Sequence, residues 1–390
     1  MEQSTLRVAD YFSRIPNTKV IIYARDGLVV TEDLSPYLRS GIEFIDLKPS
    51  MDAILIRDAG FNDFIYAVAL VFGSEVRKSL TRYTDGEHLI VSFYISTNGF
   101  NAQNVADELG LPHVACIRGT DFSRDYYRGD RFANIGYVVQ SAALVVTCNE
   151  NQKALARRVW QRNRGLVTIY NSLCIAQHVH WTPHPNRKKL RVFSDTGYSL
   201  RKGTHRLIRV FEEIIAEKAP VQLQVVGRPV EREAEFWSEI MTRSGRQDRS
   251  IRLDGYMSTE HVFESLLDAD IYCTASLAEG SPNGAMNALA LGMPIVAGRS
   301  GAVPELGRDF NGLFLFDPAD LDEMKRKVIE AVTWVQNGGS PNLSQLAKLR
   351  SKLRPDDEAA KWTAVIDAVS RGKRRPPKLQ SSRPLRDALR

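Results

Sequence analysis

The stretch that most constrains this chain runs from Thr274 to Leu306, TASLAEGSPNGAMNALALGMPIVAGRSGAVPEL. Ile271 to Ala275 is an apolar strand end, and Glu279-Gly280 is a loop. Ser281 suits an N-cap, Pro282 the first helical position and Gly292 the C-cap, and a second apolar strand begins at Pro294. Such a strand, helix, strand unit opens its helix N-terminus onto the carboxyl edge of a parallel sheet. The free N–H groups of Ser281, Asn283 and Gly284, at the positive end of the helix dipole, suit a phosphate or diphosphate. Glu279 beside them can accept from hydroxyl groups, so a sugar joined to a diphosphate satisfies both features. A plain buried α/β unit explains Ala288, Leu289 and Leu291 but not a carboxylate next to a Gly-Ser-Pro-Asn-Gly loop.

The motif EGSPNGAMNALALGMPIVAG followed by SGAVPEL resembles the retaining glycosyltransferases of family 4, which have the GT-B fold. Their hallmark is a Glu, seven residues and a second Glu. Here the first is Glu279, while Asn287 stands in the second place. The resemblance implies an α/β chain of two Rossmann-like domains facing each other across a cleft. It gives Glu279 the donor sugar and Asn287, by position, the nucleotide ribose. An amide offers one acceptor and one donor group where a carboxylate accepts from both ribose hydroxyls, so the change bears on affinity and donor identity. Lys202-Gly203 matches a family loop whose cations hold the donor diphosphate, and Arg201 supplies a second cation where Gly197-Tyr198 displace the usual Arg. Gly280, Ser281, Asn283 and Gly284 form the diphosphate-binding turn, and Gly227 ends a strand as a wall for the nucleotide. Tyr256 and Met257 stand where the base packs in the family; a core-edge tyrosine is the alternative. Arg118, in Arg118-Gly119-Thr120-Asp121, faces the cleft and touches donor phosphates or an acidic acceptor, or else pairs with Asp121 to hold its loop.

With 390 residues, 43% of them hydrophobic, the chain has room for two cores. The sequence divides into an acceptor-side domain over 1–187, a nucleotide-sugar domain over 188–370 whose final helix returns to the first, and a basic tail over 371–390. The net charge of +6 sits in that tail, where eight basic residues face one acid, Asp387, leaving the body near neutral. Without aromatic residues or a folded module beside it, the tail does not suit nucleic acid; anionic lipid headgroups are its functional partner, and plain disorder its bland reading. Cys116, Cys148, Cys174 and Cys273 lack metal-ligand spacing and read as reduced thiols. The N-terminus has no apolar leader, and the longest uncharged apolar run, Phe64 to Phe72, is too short to span a bilayer. The expectation is a cytoplasmic protein, with any membrane contact peripheral.

Strands are expected at Lys19 to Ala24, Glu43 to Leu47, Ala53 to Arg57, Leu89 to Tyr94, Leu144 to Cys148 and Val167 to Tyr170, alternating with helices. Arg25 to Gly27 reads as a turn, and Ser96 to Gly99 as a loop. His178 to Lys189, with two prolines and three histidines, reads as an exposed linker, and Asp268-Ala269-Asp270 as a helix-to-strand junction with no metal implied. In the second domain Leu207, Ile208, Phe211, Ile214 and Ile215 share one helical face. The resemblance implies retaining sugar transfer, without metal or cofactor, from a nucleotide-diphosphate donor to a glycan, lipid-linked or small-molecule acceptor in polysaccharide or glycoconjugate synthesis. A sugar-nucleotide epimerase on the same scaffold, or a non-catalytic relative that scaffolds a partner enzyme, are the alternatives.

Overall fold

The computed structural model describes residues 3–24, 41–47 and 61–371, other than 174, 176, 177, 185, 248 and 249. The Arg25 to Gly27 turn, the Ala53 to Arg57 strand, Cys174 and nearly all of the basic tail lie outside the described residues.

The first lobe opens with a helix over Gln3–Ser13 and a parallel pair, β1 (Ile21–Ala24) and β2 (Glu43–Asp46). A long helix, Phe61–Arg82, follows. Next comes a four-stranded sheet in the order β3 (Ile90–Phe93), β4 (His113–Cys116), β5 (Leu144–Thr147), β6 (Leu166–Thr168), every neighbouring pair parallel. The second lobe holds β7 (Leu190–Ser194), β8 (Val221–Val226), β9 (Ile251–Asp254), β10 (Ile271–Thr274), β11 (Ile295–Gly298) and β12 (Leu313–Phe316). Their order is β12-β11-β10-β7-β8-β9 and all pairs are parallel. The strand order reverses between β7 and β10, the switch point at which open α/β sheets bind ligands.

The apolar runs become strands because both faces of each sheet are covered: β4, β5, β10 and β11 are buried at every position. On the Thr204–Ala216 helix, Leu207, Ile208, Phe211 and Ile214 are each at most 1% exposed, while Ile215 packs at the rim of the same core. One element departs from the sequence expectation. Ile95–Gly99 is a π-helical turn: the Gly99 N–H reaches the Tyr94 carbonyl at 3.0 Å, and the buried Asp121 carboxylate takes the Ser96 N–H at 3.1 Å. Helices at Ala234–Gln247 and Leu343–Ser351 also cover the second lobe. The interlobe segment is largely exposed, as expected, yet anchored at Trp181, His184 and Arg187. Trp181 is buried and donates to the Ala269 carbonyl, and His184 and Arg187 both reach Asp270, which is fully buried. The Asp-Ala-Asp junction thus serves as an anchor for the connection between the lobes.

The chain ends its described part by crossing back. Pro355–Arg371 packs on Gln3–Ser13, with Arg7 Nε 2.9 Å from Glu358 Oε2 and the rings of Phe12 and Trp362 edge to face at 5.7 Å. Glu358 also accepts the Ser172 N–H at 2.9 Å, fixing the exit of β6. Among the described residues no helix is long and apolar enough to cross a membrane.

Candidate functional site at the switch point

Two loops and a helix N-terminus meet at the carboxyl ends of β7 and β10. The first, after β7, carries Asp195 and then Arg201-Lys202-Gly203. Gly203 caps the Thr204–Ala216 helix at φ 67°, and a Cβ there would collide with the Ala275 carbonyl, so only glycine lets this turn lie on the end of β10. The second loop, after β10, is bound to it: Leu277 N–H donates to the Arg201 carbonyl at 3.2 Å, and Arg201 Nη1 donates to the Ala278 carbonyl at 3.4 Å. Lys202 Nζ then lies 2.5 Å from Glu279 Oε1. The two residues expected to hold phosphate and sugar are therefore mutual partners, and Arg201 is tied to backbone.

The third element is the Asn283–Leu291 helix. Its N-cap is Pro282, not Ser281, with ψ 107°, and Gly292 closes it in the left-handed region at φ 77°. The register moves by one because Pro282 is itself extended and so stands outside the helix. Ser281 accordingly makes no cap; its Oγ is buried with no hydrogen-bond partner. The unsatisfied N–H groups of the first turn are those of Asn283, Gly284 and Ala285. Asn287 lies one turn on, on the face of Asn283, and is half-buried.

Two side chains absent from the sequence reading complete this corner. A Cβ on Gly284 would overlap both carboxylate oxygens of Asp195, which places that carboxylate against the first helical turn. Tyr272 Oη donates to Asp195 Oδ1 at 2.6 Å. Burial raises the Asp195 pKa against the lowering effects of the Tyr272 hydrogen bond and the Lys202 charge. Asp195 follows the first strand of its sheet at the same edge as Glu279, and that position is the signal that could have found it.

The first lobe faces this corner closely. A Cβ on Gly280 would come within 2.9 Å of Gly119 and of Cys148 Sγ, and Asn149 Nδ2 donates to the Gly280 carbonyl at 2.8 Å. Glu305 accepts the Glu150 N–H at 2.9 Å, capping the Glu150–Trp160 helix from the other lobe. Arg118, 7% exposed, lies 4.8 Å over the Phe93 ring and donates to Asn171 Oδ1 at 3.1 Å, and Asn171 reaches Asn283 at 3.5 Å. Asp121 gives its carboxylate to the backbone N–H groups of Arg118 and Ser96, and burial pushes its pKa up to about 6. Arg118 is the N-cap of a short helix, Gly119–Ser123, rather than a loop residue. Burial likewise pushes the Cys148 thiol up to about 11. Cys116, Cys148 and Cys273 are all free and buried.

Gly227, Tyr256 and Met257 lie at neighbouring strand ends, after β8 and β9. Gly227, at φ 139°, is packed against Gly197, where a Cβ would collide with the Gly197 backbone. Tyr256 is 66% exposed under the Arg228 guanidinium at 4.3 Å, so it is not a core-edge residue; Met257 is half-buried at the core rim. Among the described residues no cluster of three or more His, Cys, Asp or Glu side chains is placed to hold a metal.

Two parallel α/β lobes with their loops opposed, the second with its reversal point at the cleft, define a GT-B protein. Residues 188–333, in the second lobe, match the family model described as "Glycosyl transferases group 1". The chain is 33% identical over 129 residues to the MMP alpha-(1->4)-mannosyltransferase of Mycolicibacterium hassiacum, a match over 32% of this chain and 29% of that protein. It is 24% identical over 234 residues to the putative teichuronic acid biosynthesis glycosyltransferase TuaC of Bacillus subtilis, over 60% of this chain and 58% of that one. Both matches span less than two thirds of the relative. Among solved structures, sucrose-phosphate synthase from Thermosynechococcus elongatus superposes with a TM-score of 0.71 at 14% identity, covering 94% of this chain and 92% of that one.

Proposed function

We propose that the protein transfers a sugar from a nucleotide-diphosphate donor to an acceptor hydroxyl in glycoconjugate or polysaccharide synthesis, with retention at the anomeric carbon and without a metal or other cofactor. The observation that carries this reading is the meeting of Lys202, Glu279 and the first turn of the Asn283–Leu291 helix at the switch point, inside the family-matched stretch. A diphosphate arriving there competes with Glu279 for the Lys202 ammonium, frees the Glu279 carboxylate for sugar hydroxyls, and accepts from the N–H groups of Asn283, Gly284 and Ala285. Arg201 adds positive charge behind Lys202, Asn287 faces the ribose, and the strand ends at Gly227, Tyr256 and Met257 hold the rest of the nucleotide. Arg118, held by Phe93 and Asn171 opposite that helix, faces the acceptor or the departing phosphate.

In a retaining transfer the bond from the anomeric carbon to the phosphate oxygen breaks as the acceptor oxygen bonds on the same face. The acceptor's proton passes to the leaving phosphate. The protein's task is placement and stabilisation of the developing charge. Following slow donor hydrolysis by proton NMR, with and without EDTA, tests both finer claims. Release first of the donor's own anomer at an unchanged rate supports them; the opposite anomer, or loss of turnover with EDTA, contradicts retention or metal independence respectively. A second reading, a non-catalytic scaffold, is favoured by Asn287 and by the loop change at Gly197-Tyr198, and it requires that no sugar nucleotide binds.

A further inference from the structure

We propose that Asp195 governs donor entry by taking up a proton: it is ionised beforehand, carries a proton when a diphosphate is bound, and then presents its O–H to a phosphate oxygen. This rests on the donor-site reading above and adds a binding residue that the motif does not contain.

The argument is one of position and charge. The Asp195 carboxylate lies on Gly284, against the helix turn that would receive the diphosphate. Three other titratable groups face it. Tyr272, from β10, donates to Oδ1. Lys202, from the loop before the Thr204–Ala216 helix, and Glu279, from the loop after β10, act on it through their charges, the first lowering and the second raising its pKa. The Asn283–Leu291 helix contributes its dipole and has no acidic residue in its first turn. One ammonium thus stands among two carboxylates where a diphosphate would add further negative charge. Like charges at such range disfavour ionisation. Glu279 keeps Lys202 or sugar hydroxyls as partners, whereas Asp195 has a neutral phenol and its own backbone N–H but no ion pair among the described residues. The proton therefore goes to Asp195, on Oδ2, which turns a repelling acceptor into a donor towards phosphate while Oδ1 keeps the Tyr272 bond.

The test is calorimetric titration of UDP and GDP into wild type and Asp195→Asn, in buffers of different ionisation enthalpy and from about pH 6 to about pH 9. Asparagine keeps an acceptor for Tyr272 and mimics the neutral acid. The expected result is about one more proton taken up by wild type than by Asp195→Asn, with wild-type Kd rising up to tenfold per pH unit relative to the variant. Tyr272→Phe is the second variant. It removes a bond that favours the ionised carboxylate, so it keeps the proton uptake and moves the loss of affinity to higher pH. Equal proton uptake by wild type and Asp195→Asn, or weakening by Asp195→Asn that is the same at every pH, would overturn the proposal and leave the donor site standing. No binding of either nucleotide to wild type would overturn both.

Discussion

Lys202 and Glu279 show how one contact ties a sequence motif to chemistry. Each was legible alone, Glu279 from the Glu-Gly-Ser-Pro-Asn run and Lys202 from Lys-Gly before a helix; their 2.5 Å pairing was not, because it depends on Gly203 letting two loops touch. Asp195 escaped notice for a similar reason: a lone Asp after a strand has no local pattern, and only Gly284, far along the chain, marks the space it fills. Removal of one partner of a charge-assisted contact costs about 1.5–3 kcal/mol. Glu279→Ala should therefore lower kcat/KM for the donor by roughly 10- to 100-fold, with a small effect on unfolding midpoint, and steady-state kinetics beside thermal melts checks both. Equal loss of stability and activity would make Glu279 a structural anchor.

At the level of elements, the strands and the capped helices were legible because apolar runs and cap residues are local signals. The π-helical turn was not, since it depends on a carboxylate some 25 residues away, at Asp121. The linker's exposure was legible in its prolines and histidines, while its anchors, the buried Trp181 and Asp270, are revealed only by what they touch. Asp270 accepts from Arg187, His184 and the Arg191 N–H, so Asp270→Ala should destabilise the second lobe by about 3–5 kcal/mol, read from urea unfolding. On β4, His113 is buried between Ser92 and Gln103, with its pKa lowered from 6.5 to about 3 by burial. A depressed histidine gives its full stability above the unfolded value, and that stability is lost as pH falls from about 6.5 toward 3, at up to about 1.4 kcal/mol per pH unit. Unfolding free energies between about pH 7 and 4 should show that slope in wild type and less of it in His113→Gln.

Across the whole molecule, two parallel sheets opposed at their carboxyl edges follow from the alternation of strands and helices, while the contact between them does not. Backbone meets backbone at Gly119 and Gly280, and Glu305 caps a helix of the opposite lobe, so the lobes meet where the site lies. Gly280→Ala should push them apart, lowering turnover at least tenfold while leaving each lobe's melting unchanged; an increased radius of gyration in solution scattering checks the cause. The account as a whole stands on donor binding. The most direct measurement is calorimetry of wild type, Glu279→Ala and Asn287→Glu against UDP-, GDP- and ADP-sugars. The account predicts that one donor binds wild type and that Glu279→Ala weakens it. Absence of binding to wild type, with binding restored by Asn287→Glu, would contradict it and leave a sugar-transfer fold without a working donor site.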